Sequence, residues 1–221
     1  MTNTTEHVMK MLATARIVPV VEILDVTQAV PLAECLAAAG LPMMEVTLRT
    51  PNAIAAIASI ASAMPDFLVG AGTLLTPGDI EAAAEAKAKF GVSPGLTPAL
   101  SRASAEANLP FVPGAVTASE VLAAVEAGHH QLKFFPAEQA GGAKMLASFR
   151  SPFAALGIRF MPTGGVNLEN LLDYLALDTV FAVGGTWIAP RNQISRGDFA
   201  SIYENAKAAV DVVTAHSAAA L

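Results

Sequence analysis

Residues 131–136 have the sequence QLKFFP, which places a lysine, Lys133, inside an apolar run. The run predicts a buried β-strand, and because alternate side chains of a strand point to opposite faces, Lys133 and Phe135 share one face. Burial disfavours the ammonium form of lysine, and the neutral amine is a nucleophile towards carbonyl carbon. Schiff-base chemistry at Lys133 is therefore the first hypothesis. The alternative is a side chain that follows the sheet and places its charge in water.

The rest of the chain alternates short Val-, Ile- and Phe-rich runs with alanine-rich segments that carry apolar residues at helical spacing, which is typical of βα units. Eight strands are predicted, at residues 16–22, 42–48, 67–73, 90–93, 110–112, 131–135, 158–162 and 179–183. Eight helices are predicted between and after them, at 26–40, 52–63, 77–89, 97–107, 117–127, 141–149, 167–176 and 198–213. A further helix over 6–14 precedes the first strand.

Eight parallel strands with right-handed crossovers can close into a barrel, and closure removes the exposed edges of an open sheet. The predicted fold is therefore α/β: a single (β/α)8 TIM barrel over residues 1–221, with the extra N-terminal helix at its bottom. The length of 221 residues fits one such domain. An open, doubly wound sheet is the runner-up. Residues 214–221 are predicted to be a loose tail.

The composition excludes several classes of function. The net charge is −6 and no basic stripe carries interleaved aromatic residues, so a nucleic-acid partner is not expected. The first ten residues lack the pattern of a signal peptide, and no apolar stretch of about 20 residues is free of Gly, Pro and charge. We therefore expect a cytoplasmic protein without a membrane partner. Because only 14% of the residues are charged, helices or neighbouring subunits are expected to cover much of the chain.

Metal and disulfide chemistry are not expected. Cys35 is the single cysteine and lies among apolar residues, so it is interpreted as structural. His129 and His130 are adjacent, would point to opposite faces of a strand, and cannot chelate one metal ion together. No other group of side chains has metal-ligand spacing, so the sequence predicts neither a metal nor a cofactor.

The unusual polar residues lie near the carboxyl ends of the predicted strands, which in a barrel meet at the face that carries the active site. Glu45 and Arg49 share one face of the second strand. Near a cationic amine Glu45 can act as a general base, and Arg49 can grip a carboxylate. Two alternatives stay open: a plain Glu45–Arg49 ion pair, and Glu22, at the end of the first strand, as a rival base.

Two further strand ends carry glycine or proline. Thr73 follows Gly70 and Gly72, which are expected to let a substrate approach the backbone near the Thr73 hydroxyl. The pattern lacks the third glycine and the acidic residue of a dinucleotide site. Pro94, in the sequence Ser-Pro-Gly, is explained by a turn before a helix capped by Thr97.

Glycine pairs follow the seventh and eighth predicted strands, where many barrels bind phosphate through backbone N–H groups. Plain turns explain each pair alone, but the two together favour a phosphate site. The residues that would form it are Thr163, Gly164, Gly165, Gly184, Gly185 and Thr186.

Six motifs, in order along nearly the whole chain, resemble the 2-keto-3-deoxy-6-phosphogluconate (KDPG) aldolase family, whose members also cleave 4-hydroxy-2-oxoglutarate (KHG). They are EVTLRT at 45–50, GAGT at 70–73, SPGLT at 93–97, KFFPAE at 133–138, PTGG at 162–165 and VGGTW at 183–187. EVTLRT and KFFPAE are the specific ones. The resemblance implies a class I aldolase barrel, usually a homotrimer, that cleaves KDPG to pyruvate and glyceraldehyde 3-phosphate.

The resemblance also implies residue roles. Lys133 is the Schiff-base lysine and Glu45 the general acid/base. Arg49 and Thr73 match positions that hold the carboxylate end of the pyruvyl group, and Pro94 and Phe135 match residues that line the site. The residues that match the family's phosphate pocket are Gly164, Gly165, Gly185 and Thr186, of which Thr186 stands where a serine is common.

Other functions remain open on the sequence. A phosphate-binding barrel isomerase or epimerase would use Glu45 for proton transfer and Lys133 only for electrostatics. A non-catalytic barrel would bind phosphorylated sugar acids without turning them over. The galactonate-specific aldolase of the same family acts on a substrate that differs only in the orientation of the C4 hydroxyl, and the motifs favour the gluconate substrate.

Overall fold

The computed structural model describes residues 3–219. Its strands are short, largely buried and parallel, as the βα pattern predicts. Within the described range they are β1 (Ile17–Val21), β2 (Met43–Thr47), β3 (Leu68–Gly72), β4 (Phe90–Val92), β5 (Phe111–Val112), β6 (Gln131–Phe134), β7 (Arg159–Pro162) and β8 (Val183–Gly185). The first seven lie inside their predicted ranges.

Helices connect the strands and pack on the sheet. They are α1 (Asn3–Ala15), α2 (Ala29–Ala38), α3 (Ala53–Ala63), α4 (Pro77–Glu85), α5 (Pro98–Glu106), α6 (Ala118–Glu126), α7 (Gly142–Ser148), α8 (Arg150–Phe153), α9 (Leu171–Leu175), α10 (Arg191–Ser195) and α11 (Phe199–Ala219). Three helices that follow strands begin at a threonine whose hydroxyl accepts a hydrogen bond from a backbone N–H of the first turn: Thr76, Thr97 and Thr117. These caps satisfy N–H groups that have no partner within the helix. The predicted cap at Thr97 is confirmed.

The strands form a curled parallel sheet of six, in the order β5-β4-β3-β2-β1-β8, and a separate pair, β6-β7. Isolated bridges link the pair to both edges of the six-stranded sheet: Gly114 pairs with Lys133 on one side, and Phe160 and Thr163 pair with Val180 and Gly184 on the other. From β5 to β1 the order is sequential. A doubly wound sheet requires a reversal of strand order, so the runner-up fold is wrong.

Two hydrophobic clusters lie on opposite faces of the strands. The larger lies between the strands and the surrounding helices and contains residues such as Ile57, Leu132 and Phe160. The smaller lies on the concave face, where Val8, Met9 and Leu12 of α1 pack against strand residues that include Met43, Phe90 and Met161. Helix α1 therefore fills the concave face at the amino-terminal ends of the strands and leaves their carboxyl ends for polar side chains.

Three predicted boundaries are wrong. Strand eight is predicted at 179–183, but β8 is Val183–Gly185, because the glycine pair continues the strand and pairs with β1. The helix predicted over 167–176 is restricted to α9, because Asn167 and Asn170 form reciprocal hydrogen bonds in which the backbone N–H of each donates to the side-chain Oδ1 of the other. The predicted loose tail is helical as far as Ala219, and residues 220–221 lie outside the described residues.

Among residues 3–219, no helix is both long and apolar enough to cross a membrane.

The packing of α1 on the concave face yields a stability prediction. Leu12 is fully buried there, so Leu12→Ala is expected to lower the free energy of unfolding by about 2–5 kcal/mol, measured by urea denaturation. Lys10→Ala, an exposed position of the same helix, is the control and should change it by less than about 0.5 kcal/mol. Equal, small effects of the two changes would show that α1 is not part of the core.

Candidate active site

The structure brings Lys133 of β6 and Glu45 of β2 together inside the curled sheet. Lys133 is 4% exposed and Glu45 is 0% exposed, and Lys133 Nζ lies 3.3 Å from Glu45 Oε1. The predicted burial of Lys133 is confirmed, and the alternative in which its charge reaches water is wrong. The two side chains are 88 residues apart in sequence, so only the fold makes them neighbours.

Burial of this pair is costly. Removing two charges from water carries a penalty that their mutual attraction repays only with good geometry and further hydrogen bonds. The second carboxylate oxygen, Glu45 Oε2, is buried and has no hydrogen-bond partner within residues 3–219. A buried acceptor left unpaired costs about 1–3 kcal/mol. The pair therefore does not stabilise the fold, and a role in proton transfer or nucleophilic attack explains why the two side chains are buried together.

Glycine residues of β3 make room for this pair. A Cβ atom on Gly72 would overlap Glu45 Oε1 and lie 2.6 Å from Glu45 Cδ, and one on Gly70 would overlap the Phe90 ring. The expectation that Gly70 and Gly72 let a substrate approach the backbone is therefore wrong. The space is occupied by protein side chains.

Two predicted site residues flank the pair. The Phe135 ring centroid lies 5.3 Å from Lys133 Nζ, which confirms that the two side chains share a face and provides a cation–π contact. Thr73, directly after β3, has φ of 60°. This left-handed conformation is rare for a β-branched residue and costs of the order of 1–3 kcal/mol, a cost that is typically found at functional sites.

Arg49 lies farther out than the sequence suggests. It follows β2, and its side chain is 46% exposed and pairs with Glu22, with 3.2 Å between Nη1 and Oε1. The other carboxylate oxygen of Glu22 lies 3.2 Å from Arg191 Nη1. The predicted alternative of a Glu45–Arg49 ion pair is therefore wrong. Glu22, the rival base, is held by two guanidinium groups at the rim.

Pro94 lies in the turn that the sequence predicts. Ser93 Oγ donates a hydrogen bond of 2.6 Å to the Gly95 carbonyl, and Pro94 is half-buried. The Pro94 carbonyl fills the space that a side chain on Gly114 would need. The turn after β4 is thus packed against the segment after β5, at the same end of the sheet as Lys133.

The glycine pair after β7 is held in place by the chain that follows β6. Gly164 and Gly165 have φ of +99° and +79°, a conformation that favours glycine. The backbone N–H groups of Ala137 and Glu138 donate to the carbonyls of Thr163 and Gly164, at 2.8 and 3.0 Å. Within residues 3–219, the N–H groups of Gly164 and Gly165 have no protein acceptor. They are free to bind an anion.

The second predicted glycine pair lies within a strand and not in a loop after it. Gly184 and Gly185 are part of β8, so they do not form a loop after it, and only Thr186 follows the strand. A side chain on Gly184 would overlap Thr163 Oγ1, and one on Gly185 would overlap the Trp187 ring. Thr163 is buried beside Gly184, whereas Thr186 is exposed.

Three side chains near these loops are not predicted from the sequence. Arg191 is the second partner of Glu22. Its position as a basic residue soon after the last strand is the feature of the sequence that could have indicated this role. Tyr174 of α9 is buried and donates its hydroxyl to Glu138 Oε1. Glu138 ends the KFFPAE motif, but Tyr174 carries no signal that separates it from a core residue.

The titratable groups of the site do not form a metal centre. Within residues 3–219, no three His, Cys, Asp or Glu side chains come together in a way that could hold a metal ion. The charged partner of the Lys133 amine is instead a single carboxylate, Glu45, and the unpaired backbone N–H groups lie in the Gly164–Gly165 loop after β7. This set suits an amine nucleophile with proton transfer and anion binding.

Comparison with known proteins gives consistent matches. The sequence model of the KDPG and KHG aldolase family matches residues 8–205. The KHG/KDPG aldolase of Escherichia coli (strain K12) is 42% identical over 200 residues, which cover 90% of this chain and 93% of that protein.

Solved structures agree with the sequence matches. KDPG aldolase from Legionella pneumophila, with pyruvate captured as a covalent carbinolamine intermediate, has a TM-score of 0.88 at 39% identity and covers 91% of this chain and 97% of that one. The KDPG aldolase of Zymomonas mobilis ZM4 with 3-phosphoglycerate has a TM-score of 0.85 at 39% identity and covers 93% of this chain and 94% of that one.

The contact between Gly72 and Glu45 yields a second prediction. Gly72→Ala is expected to cost about 1–3 kcal/mol of unfolding free energy, because the new methyl group overpacks a buried site. In a Glu45→Ala background the same change should cost much less, which a double-mutant cycle measures. Gly78→Ala, where the nearest atom is 3.8 Å away, is the control. An equal cost of Gly72→Ala in both backgrounds would contradict the assigned contact.

Proposed function

The chain belongs to the KDPG and KHG aldolase family, and on that basis we propose that it is a class I aldolase that cleaves KDPG to pyruvate and D-glyceraldehyde 3-phosphate. The observation that carries the proposal is the buried contact of 3.3 Å between Lys133 Nζ and Glu45 Oε1. It places a nucleophilic nitrogen beside a proton acceptor, near the carboxyl ends of the strands.

The reaction begins with formation of an imine. A proton passes from Lys133 to Glu45, and the neutral amine attacks the C2 ketone of KDPG. Glu45 returns the proton to the hydroxyl group of the carbinolamine, which leaves as water. The protonated imine that remains is the electron sink. The carbinolamine in the Legionella pneumophila aldolase structure supports an amine-based route in this family.

The carbon–carbon bond then breaks. Glu45, directly or through a water molecule, takes the proton of the C4 hydroxyl, and the electron pair of the C3–C4 bond moves into the imine as glyceraldehyde 3-phosphate leaves. The resulting enamine takes this proton from Glu45 at C3, and water hydrolyses the imine to release pyruvate and the Lys133 amine. Glu45 Oε2 is suited to receive the substrate hydroxyl because it is buried and unpaired in the described chain.

The two ends of the substrate contact different strands. Arg49 and Thr73, after β2 and β3, hold the carboxylate, and Pro94 and Phe135 line the space between. The phosphate binds at the carboxyl ends of β7 and β8. The residues that bind it are Thr163, Gly164 and Gly165 after β7, Gly184 and Gly185 at the end of β8, and Thr186 after β8. The free N–H groups of Gly164 and Gly165 support this assignment, and so does the presence of 3-phosphoglycerate in the Zymomonas mobilis structure.

KHG is the second substrate, cleaved to pyruvate and glyoxylate. The name of the Escherichia coli relative, KHG/KDPG aldolase, supports this dual activity. KHG has no phosphate, so its binding does not depend on the glycine residues of the phosphate site. Assays with KHG therefore report on the chemistry at Lys133 independently of phosphate binding. We expect the preferred substrate to have the gluconate configuration at C4 and not the galactonate one, because the sequence motifs favour the gluconate substrate.

The finer fold and the assembly are part of the proposal. We propose that residues 1–221 form one closed (β/α)8 barrel domain, because the bridges of β6 and β7 to both edges of the sheet support closure. Three such chains form a homotrimer. Exposed leucines in the described chain support burial in an assembly: Leu24, Leu75, Leu122, Leu168 and Leu172.

Borohydride trapping tests the proposed chemistry. Wild-type protein reduced in the presence of pyruvate should gain the mass of one pyruvate minus one oxygen atom, on Lys133, and lose activity. Lys133→Ala should gain no mass and show no cleavage. Glu45→Gln should still be trapped while its kcat falls by about 10²–10⁴-fold, the usual contribution of general acid–base catalysis. Lys144→Ala, at an exposed lysine of α7, is the control.

The outcomes separate the alternatives. An unchanged mass in fully active protein would falsify the Schiff-base mechanism and favour a phosphate-binding isomerase or epimerase. A trapped adduct without release of glyceraldehyde 3-phosphate in a coupled assay would indicate a protein that binds the ketoacid without cleaving KDPG. Faster cleavage of the galactonate-derived substrate than of KDPG would assign the chain to the galactonate branch.

Light scattering of the purified protein tests the assembly. We expect a mass of three chains at micromolar concentration, because the low charge content and the exposed leucines favour subunit contacts. Leu172→Glu, which places a charge at one of these exposed leucines, is expected to lower the trimer fraction, with Glu169→Gln as a control at an exposed neighbouring position. A monomer mass for the wild-type protein would contradict the trimer.

A further inference from the structure

The segment after the lysine strand carries a hydrogen bond that the reaction above does not use. The Tyr174 hydroxyl of α9 donates to Glu138 Oε1. Tyr174 is fully buried, whereas Glu138, whose carboxylate accepts this hydrogen bond, is an exposed residue. Burial raises the pKa of Tyr174, and the hydrogen bond to Glu138 raises it further, so the phenol remains a donor throughout the physiological pH range. The hydrogen bond therefore ties the side chain of an exposed residue to a buried residue of α9.

Glu138 also holds the glycine loop after β7. Its backbone N–H donates to the Gly164 carbonyl at 3.0 Å. Its Cβ and Cγ atoms lie 2.6 Å from where a Cβ on Gly165 would be. The side chain of Glu138 is therefore packed directly against the α-carbon of Gly165, and any rotation of this side chain would change the support of the loop.

The residue that precedes helix α9 contacts the same loop. Asn170, at the start of α9, donates from Nδ2 to the Gly165 carbonyl at 3.2 Å. Tyr174 follows Asn170 by one helical turn and therefore lies on the same face of the helix. Glu138 and Asn170 thus both contact the loop, and the Tyr174–Glu138 hydrogen bond links Glu138 to the helix that Asn170 begins.

We propose that Glu138 and Tyr174 are positioning residues that fix the Gly164–Gly165 loop, and that their hydrogen bond determines how tightly the site holds the phosphate end of its substrate. The inference rests on the proposed function, which places the phosphate on this loop. The free N–H groups of Gly164 and Gly165 bind an anion only if both point to the same place, so a looser loop weakens phosphate binding and leaves the lysine chemistry intact.

Tyr174→Phe is the direct test, because it removes the hydroxyl and keeps the ring. We expect the KM for KDPG to rise about tenfold, since part of the strength of a hydrogen bond to a charged group is lost. The kcat for KDPG, the kcat/KM for KHG and the rate of borohydride trapping with pyruvate should stay within about twofold. The inhibition constant of inorganic phosphate against KDPG cleavage should rise in parallel with the KM. Tyr203→Phe, at an exposed tyrosine of α11, is the control.

Variants at Glu138 keep the test valid if Tyr174→Phe does not fold. Glu138→Ala removes the acceptor at an exposed position and should reproduce the rise in the KM for KDPG, whereas Glu138→Gln keeps an oxygen acceptor and should restore most of the affinity. Equal loss for KDPG and KHG, or an unchanged KM and phosphate inhibition in both Tyr174→Phe and Glu138→Ala, would overturn the inference. If the wild-type protein itself shows no advantage for the phosphorylated substrate, the proposed function fails and this inference fails with it.

Discussion

The buried contact between Lys133 and Glu45 is the constraint on which the rest of the site depends. Two opposite charges removed from water destabilise the fold unless their surroundings compensate. The surrounding residues are arranged around that requirement: Gly72 has no side chain, so the carboxylate has room, and the Phe135 ring lies 5.3 Å from the amine. The pair therefore costs stability that the fold must supply elsewhere.

That stability comes from the two hydrophobic clusters and from the amino-terminal end of the strands. Helix α1 inserts Val8, Met9 and Leu12 against the concave face of the sheet, and the remaining helices bury its outer face. The lysine and the glutamate lie beyond this packed layer. Such a division lets one end of the strands carry strained or costly features, such as the positive φ of Thr73, without loss of the fold.

The sequence predicts most of this arrangement, because short apolar strands and alanine-rich helices have strong periodic signals and because a lysine within an apolar run is unusual. The errors have physical causes. Gly184 and Gly185 resemble the end of a strand, but they continue it, since Thr163 and Trp187 occupy the space beside them. Arg49 contacts Glu22 instead of Glu45 because β2 ends at Thr47. Alternation along a strand says nothing about the residues beyond its end.

The KFFPAE motif is informative because each of its polar or aromatic residues has a separate physical task. Strand β6 pairs directly with β7, so the segment that follows Lys133 must run beside the loop that follows β7. Residues 135–138 therefore contact both the lysine and the Gly164–Gly165 loop, through the Phe135 ring at one end and the Glu138 N–H at the other. In the proposed reaction the ketone and the phosphate of one substrate must be held at a fixed separation. A single short segment that contacts both positions provides that separation more reliably than two independent loops.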